Sequence, residues 1–188
     1  MVTSIISNQC FGGIICWEYK MQFKSPTVNL RIYNEEFPKF CGNLRHYIDA
    51  DVQEYTELSD YHKEILTRFY GFIPDFPMGL CDDILIGFHH YDTFEAAKSA
   101  WDRRKARIEW DHIGYLFHLE REEYKDCGKE LLDLHLPHTL VLTEEFDLEG
   151  AYRFDVPRVP NMDCFGVWNG KSVIEQNFSK RDFLDGKI

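Results

Sequence analysis

The pattern that most limits what this chain can fold into is an alternation of short apolar runs with stretches of helical spacing. "DILIGFHHY" (83–91) is the clearest extended run, dense in β-branched and aromatic residues. "IGYLFHL" (113–119), "REEYKDCGKELLDLH" (121–135) and "HTLVLTE" (138–144) then read as strand, helix and strand. Upstream, "TSIIS" (3–7) reads as a buried strand, 8–12 as its turn and 13–22 as a helix. "TVNLRIY" (27–33) alternates Val28, Leu30 and Ile32 with Asn29, Arg31 and Tyr33, the period of a strand with one wetter face.

Asn34 is expected to cap a helix reaching Ala50, with Pro38 in its first turn and Phe37, Phe40, Leu44, Tyr47 and Ile48 along one side. Residues 61–72 read as a helix, and "IPDFPMG" (73–79) as a loop. Asp92 and Glu95 have capping-box spacing at the head of a helix over 93–108. The order implies α/β: a single three-layer α/β/α domain over 1–188 with a largely parallel or mixed sheet. From about residue 150 the pattern is less regular; edge strands and a last short helix at 178–186 are expected there.

Composition narrows the function classes. A formal charge of −11 and a pI near 5.1 leave no electrostatic footprint for nucleic acid. The one dense basic stretch is "DRRKAR" (102–107). Cysteines at 10, 16, 41, 81, 127 and 164 show no CxxC and no zinc-finger spacing, so no metal site is expected. "MVTSIIS" lacks a basic leader and no window approaches eighteen apolar residues, so no transmembrane segment is expected. Those features suit a cytoplasmic protein with reduced thiols. No residue pattern names a cofactor.

In an open parallel sheet, ligands bind beyond the carboxyl ends of the strands. That rule gathers Ser7, Asn8 and Cys10 after the first strand, Tyr33 and Asn34 after the second, and His89, His90 and Tyr91 at the end of the third. Cys10 reads as a thiolate at a helix N-terminus with Gly12 and Gly13 leaving amides open for an anion, or as a small apolar side chain packed under the turn. Ser7 and Asn8 read as ligand contacts or as helix caps. One of His89 and His90 reads as a general base, or as a hydrogen-bonded imidazole. At the opposite end of the third strand, Asp82 and Asp83 should meet Arg103, Arg104 and Arg107 of the next helix, a structural cluster or a second site beside Trp101.

Blocks "SNQCFGG", "SPTVNLRI", "FPKFCGNLRHYI", "FPMGLCDDILIGFHHYDTFEAAKSAWDRRKARIEWDHI" and "FSKRDFLDG" occur in that order. Through them the chain resembles a bacterial domain-of-unknown-function family whose members are often described as exopolysaccharide or capsular-polysaccharide biosynthesis proteins. The resemblance covers most of 4–118 and returns at the tail. Its most specific block joins an Asp-Ile strand, a His-Tyr ending and Trp-x-Arg-Arg, which includes Asp83, Trp101, Arg103 and Arg104. The family's turn is of the "SNNCWGG" kind; here Gln9 and Phe11 replace its middle Asn and its Trp. The resemblance implies an α/β/α cytoplasmic protein of surface-polysaccharide assembly, an acyl- or glycosyl-transferase acting on a saccharide precursor. A non-catalytic module that binds a sugar-phosphate or a partner of the assembly machinery is the other reading.

Overall fold

The structure, a computed structural model, describes residues 1–155, 167–168, 171–172, 175 and 177–188. Its strands form two main sheets rather than one. Strands β1 (Ser4–Ser7), β6 (Ile113–Leu119), β7 (Thr139–Glu144) and β8 (Tyr152–Phe154) pair in parallel in the order β1-β6-β7-β8. Strands β2 (Arg31–Ile32), β3 (Val52–Glu54), β4 (Met78–Cys81) and β5 (Ile84–Gly87) form an antiparallel sheet in the order β2-β5-β4-β3. The chain is therefore α/β, but two runs expected in the parallel sheet, 27–33 and 83–91, belong to the antiparallel one. Residues 31–87 enter between β1 and β6, which are neighbours in space. Among the described residues, β9 (Val167–Trp168) and β10 (Lys171–Ser172) form a further short antiparallel pair.

The parallel sheet is buried on both faces, which is why β6 is apolar almost throughout. Ile6, Tyr115, Phe117, Leu119 and Val141 join one core with the helices α2 (Phe37–Gly42), α3 (Leu44–Asp49), α5 (Phe94–Lys105) and α6 (Lys125–Asp133). Ile5, Leu116, Leu140 and Leu142 face the other way, onto α1 (Phe11–Glu18) and α7 (Lys180–Leu184). Each such side chain, fully buried, stabilises the fold by roughly 1.5–3 kcal/mol. Close approach of α1 to β1 requires Gly12: a Cβ there would meet Ser7 Oγ at 2.5 Å. Lys180 at the start of α7 reaches back to Glu18 on α1 at 2.8 Å and is itself buried.

Local chemistry explains the departures from expectation. Only Arg31 and Ile32 of 27–33 pair as a strand, because Thr27 bonds locally and to β1 instead. Its Oγ1 accepts the Ser7 N–H at 3.0 Å and Asn29 takes a positive φ of 59°. The helix expected over 34–50 is two helices, broken at Asn43, whose φ of −128° and ψ of 40° leave the helical region. Asn34 caps neither.

The loop expected at 73–79 ends in β4, and Asp82-Asp83 is the two-residue turn of the β4-β5 hairpin, with Asp82 at φ 57°. Helix α4 (Asp60–Tyr70) is capped by Ser59, whose Oγ accepts the His62 N–H, and ends at Gly71 with φ 81°. Thr93, not Asp92, caps α5, accepting from the Ala96 N–H at 3.2 Å. In the tail, β8 is the edge strand of the parallel sheet and Ser179 caps α7. No helix among the described residues is long and apolar enough to cross a membrane.

Candidate active site

Strands β1, β6 and β7 end together on one edge of the parallel sheet, so Gln9 and Cys10, His118 and Glu120, and Glu144 converge there. One backbone bond, from Ile32 N–H to the Asn8 carbonyl at 2.9 Å, ties this edge to the antiparallel sheet. Arg31 and the 88–91 turn after β5 thereby reach the same place.

Asn8 fixes the geometry. Its side chain is fully buried and mimics a paired strand: Oδ1 accepts the His118 N–H at 3.0 Å, and Nδ2 donates to the His118 carbonyl at 2.9 Å and to Asn34 Oδ1 at 3.1 Å. It therefore neither caps α1 nor faces a ligand; it holds His118. Ser7 is equally buried and donates its hydroxyl to the Gln9 carbonyl at 2.7 Å. Gly12 and Gly13 are buried packing glycines, the second against Asn29, whose Oδ1 a Cβ would meet at 2.5 Å.

Cys10 and His90, 80 residues apart, come together: Sγ lies 3.0 Å from His90 Nε2. Cys10 is half-buried and immediately precedes α1, at the positive end of that helix. Burial pushes the thiols of Cys16, Cys81 and Cys127 up to about 11, about 12 and about 12, and raises Cys41 as well. Those four are packing cysteines, as the apolar reading expects of a buried thiol; Cys164 lies outside the described residues. His89 turns the other way. Its ring packs on Phe76 at 4.9 Å between centroids, and burial, then the charge of Arg31 and the neighbouring His90, push its pKa down to about 4. Tyr91 packs edge-on against Phe88.

The residues that sequence reasoning missed form the charged half of the site. Arg31 is buried, lies over the Phe69 ring at 4.2 Å and pairs with Glu120 at 2.8 Å. Burial works against the Arg31 charge, but Glu120 overrides it and holds the guanidinium pKa above its ordinary value. Burial likewise opposes the Glu120 charge, and Arg31 with His118 overcomes it, holding that carboxyl below the usual range. Both are charged. Arg31 Nη2 also approaches Gln9 Oε1 at 3.4 Å, and Gln9 Nε2 is bonded to His118 Nδ1. His118 Nε2 lies 2.7 Å from Glu144 Oε1, at an angle that makes no hydrogen bond. Arg31 Nη1, Glu120 Oε2 and His118 Nε2 are buried without hydrogen-bond partners.

The expected Asp–Arg cluster does not form. Asp82 takes His46 at 2.8 Å, and Asp83 takes Lys39 and the Tyr47 hydroxyl, because the α2-α3 pair packs beside the β4-β5 turn. Arg104 donates to the Val28 carbonyl at 2.8 Å, Arg103 points to solvent and Trp101 is core.

A family described as a domain of unknown function, DUF1919, matches residues 2–183. The chain belongs to the DUF1919 family. It is also similar to an "Uncharacterized protein" of Haemophilus influenzae, 23% identical over 182 residues, which cover 92% of this chain and 80% of that relative.

Proposed function

We propose that this DUF1919 protein is a cytoplasmic transferase of surface-polysaccharide assembly that moves an acyl group to a saccharide precursor through Cys10. The observation that carries the chemistry is the 3.0 Å approach of Cys10 Sγ to His90 Nε2. A thiol paired with an imidazole at a helix N-terminus is an arrangement that activates sulfur. His90 Nε2 takes the thiol proton, and Sγ attacks the acyl carbonyl of the donor. The donor's leaving group departs with that proton, leaving a thioester on Cys10. A sugar hydroxyl then attacks the thioester carbonyl and passes its proton to His90, which returns it to the departing sulfur. Asn8 and Gln9 hold His118 and take no part in these steps. Ser7, whose hydroxyl is committed to the Gln9 carbonyl, takes no part.

The saccharide and the pathway rest on the sequence resemblance, and the cytoplasmic setting on its reduced thiols. A second reading, a module that binds a sugar-phosphate without reacting, draws on the buried Arg31 with its unmatched Nη1. Two measurements separate them. Rapid alkylation of Cys10 near neutral pH, abolished in C10A and slowed in H90A, is expected of the transferase. If C10A and H90A both leave the polysaccharide of the producing strain unchanged, the transferase assignment is wrong.

A further inference from the structure

We propose that the cleft walled by Phe76 and the turn that opens α5 binds an acceptor glycan whose bound rings carry neither carboxylate nor phosphate. The inference rests on the transferase reading and names the acceptor class for it. The cleft, about 510 Å³, lies between the end of β3, the 73–78 segment and the turn that opens α5. That is the size of a small-molecule site. Phe76 forms part of its wall and packs against His89, whose ring centroid is 5.7 Å from that of His90. Phe76 and His89 thus tie the cleft wall to the turn that carries His90.

Charge decides what can enter. Glu54, Asp75, Asp92 and Glu95 line the cleft, all exposed, and among the described residues no Lys or Arg lines it. None of the four has an ion pair among the described residues. Together they repel a phosphate or a uronate, while each accepts hydrogen bonds from hydroxyl or ammonium groups.

The remaining surface suits a sugar ring as well. Phe76 and Phe94 offer aromatic carbon to the C–H faces of a pyranose. The Tyr55 hydroxyl, which accepts the Ser59 N–H at 2.9 Å and lies 3.0 Å from His62 Nδ1, supplies a fixed polar anchor at the cleft wall.

The test is an array of bacterial-surface oligosaccharides in three sets: uncharged, amino-sugar-bearing, and uronate- or phosphate-bearing. It is probed with the full chain carrying C10A, which keeps the cleft and removes the thiol. Binding is expected in the first two sets only, with affinity reduced about tenfold by the surface double variant Asp75→Lys, Glu95→Lys. Thermal unfolding of that variant checks that it remains folded. Binding to the anionic set, no binding to any set, or affinity indifferent to the charge reversal overturns the proposal. Glycan binding by a chain whose Cys10 proves unreactive overturns the transferase reading and leaves the cleft assignment standing.

Discussion

Two buried charged networks, one around Glu36 and His62 and one around Arg31 and Glu120, differ in how completely their polar atoms are matched. In the first, Glu36 Oε1 meets His62 Nε2 at 2.9 Å, Glu36 Oε2 accepts the Leu85 N–H at 2.8 Å, and His62 Nδ1 lies 3.0 Å from the Tyr55 hydroxyl. No polar side-chain atom of Glu36 or His62 is left over. In the second, at the carboxyl edge of the parallel sheet, Arg31 Nη1, Glu120 Oε2 and His118 Nε2 all lack hydrogen bonds. Each such orphan costs roughly 1–3 kcal/mol. Structural networks rarely leave three of them side by side. The first network is a fastener joining α2, α4 and β5. The second leaves polar atoms unmatched, the feature from which the sugar-phosphate reading of Arg31 draws.

The largest effect should fall on the fastener. Glu36→Ala leaves the His62 ring and the Leu85 N–H unmatched inside the core and should lower unfolding free energy by about 3–5 kcal/mol in urea titration. A change below about 1 kcal/mol would erase the contrast between the networks.

The next effect is pH-dependent, with opposite signs at His62 and at His89, whose pKa burial and then the Arg31 charge lower. Burial opposes the His62 charge, but the hydrogen bonds to Glu36 and Tyr55 override it, raising its pKa above 6.5. Its contribution is therefore fully present below pH 6.5 and is lost as pH rises through the folded-state value. His89 is the reverse, pushed from 6.5 down to about 4. The unfolded chain takes up a proton between those values that the folded chain refuses, so stability falls by up to about 3 kcal/mol as pH drops through that window. Urea midpoints from pH 4 to 8 should show both limbs. H89F should flatten the acid limb alone and H62Q the alkaline limb alone; one variant moving both limbs would show that the two histidines do not titrate independently.

Much of the fold is legible in the sequence where burial is symmetrical. β6, α6 and β7 are a strand–helix–strand unit whose apolar runs admit little else. The antiparallel sheet is harder to read, because the β4-β5 turn is Asp82-Asp83, without the glycine that usually marks a two-residue hairpin. With no glycine to mark that turn, 83–91 reads as one long parallel strand.

The carboxyl-end rule, taken over β1, 27–33 and 83–91, falls on two antiparallel runs, whereas β6 and β7 are the strands that end beside β1. "FHLE" (117–120) and "LTEE" (142–145) carried the signal for His118, Glu120 and Glu144, polar residues closing apolar strands. Arg31 was less legible, since a strand of alternating period assigns it to the wet face; only the packing of Phe69 over that face buries it. Cys10 and His90 were legible as candidates. Their meeting depends on the Asn8–Ile32 stitch between sheets, which no local pattern encodes.

The smallest stability effect should come from removing the central ion pair of the incomplete network as a unit. Arg31→Met alone strands the Glu120 carboxylate in a dry setting and should cost about 3 kcal/mol. Arg31→Met with Glu120→Leu removes both charges and their desolvation together, keeps apolar bulk over Phe69, and should change stability by no more than about 1 kcal/mol. Unfolding midpoints of the two single variants and the double form a cycle that measures this directly. If the double variant is as damaged as Glu36→Ala, the carboxyl-edge network is a second fastener. If it folds normally and the strain carrying it loses the wild-type polysaccharide, the unmatched polar atoms belong to the function rather than to the fold.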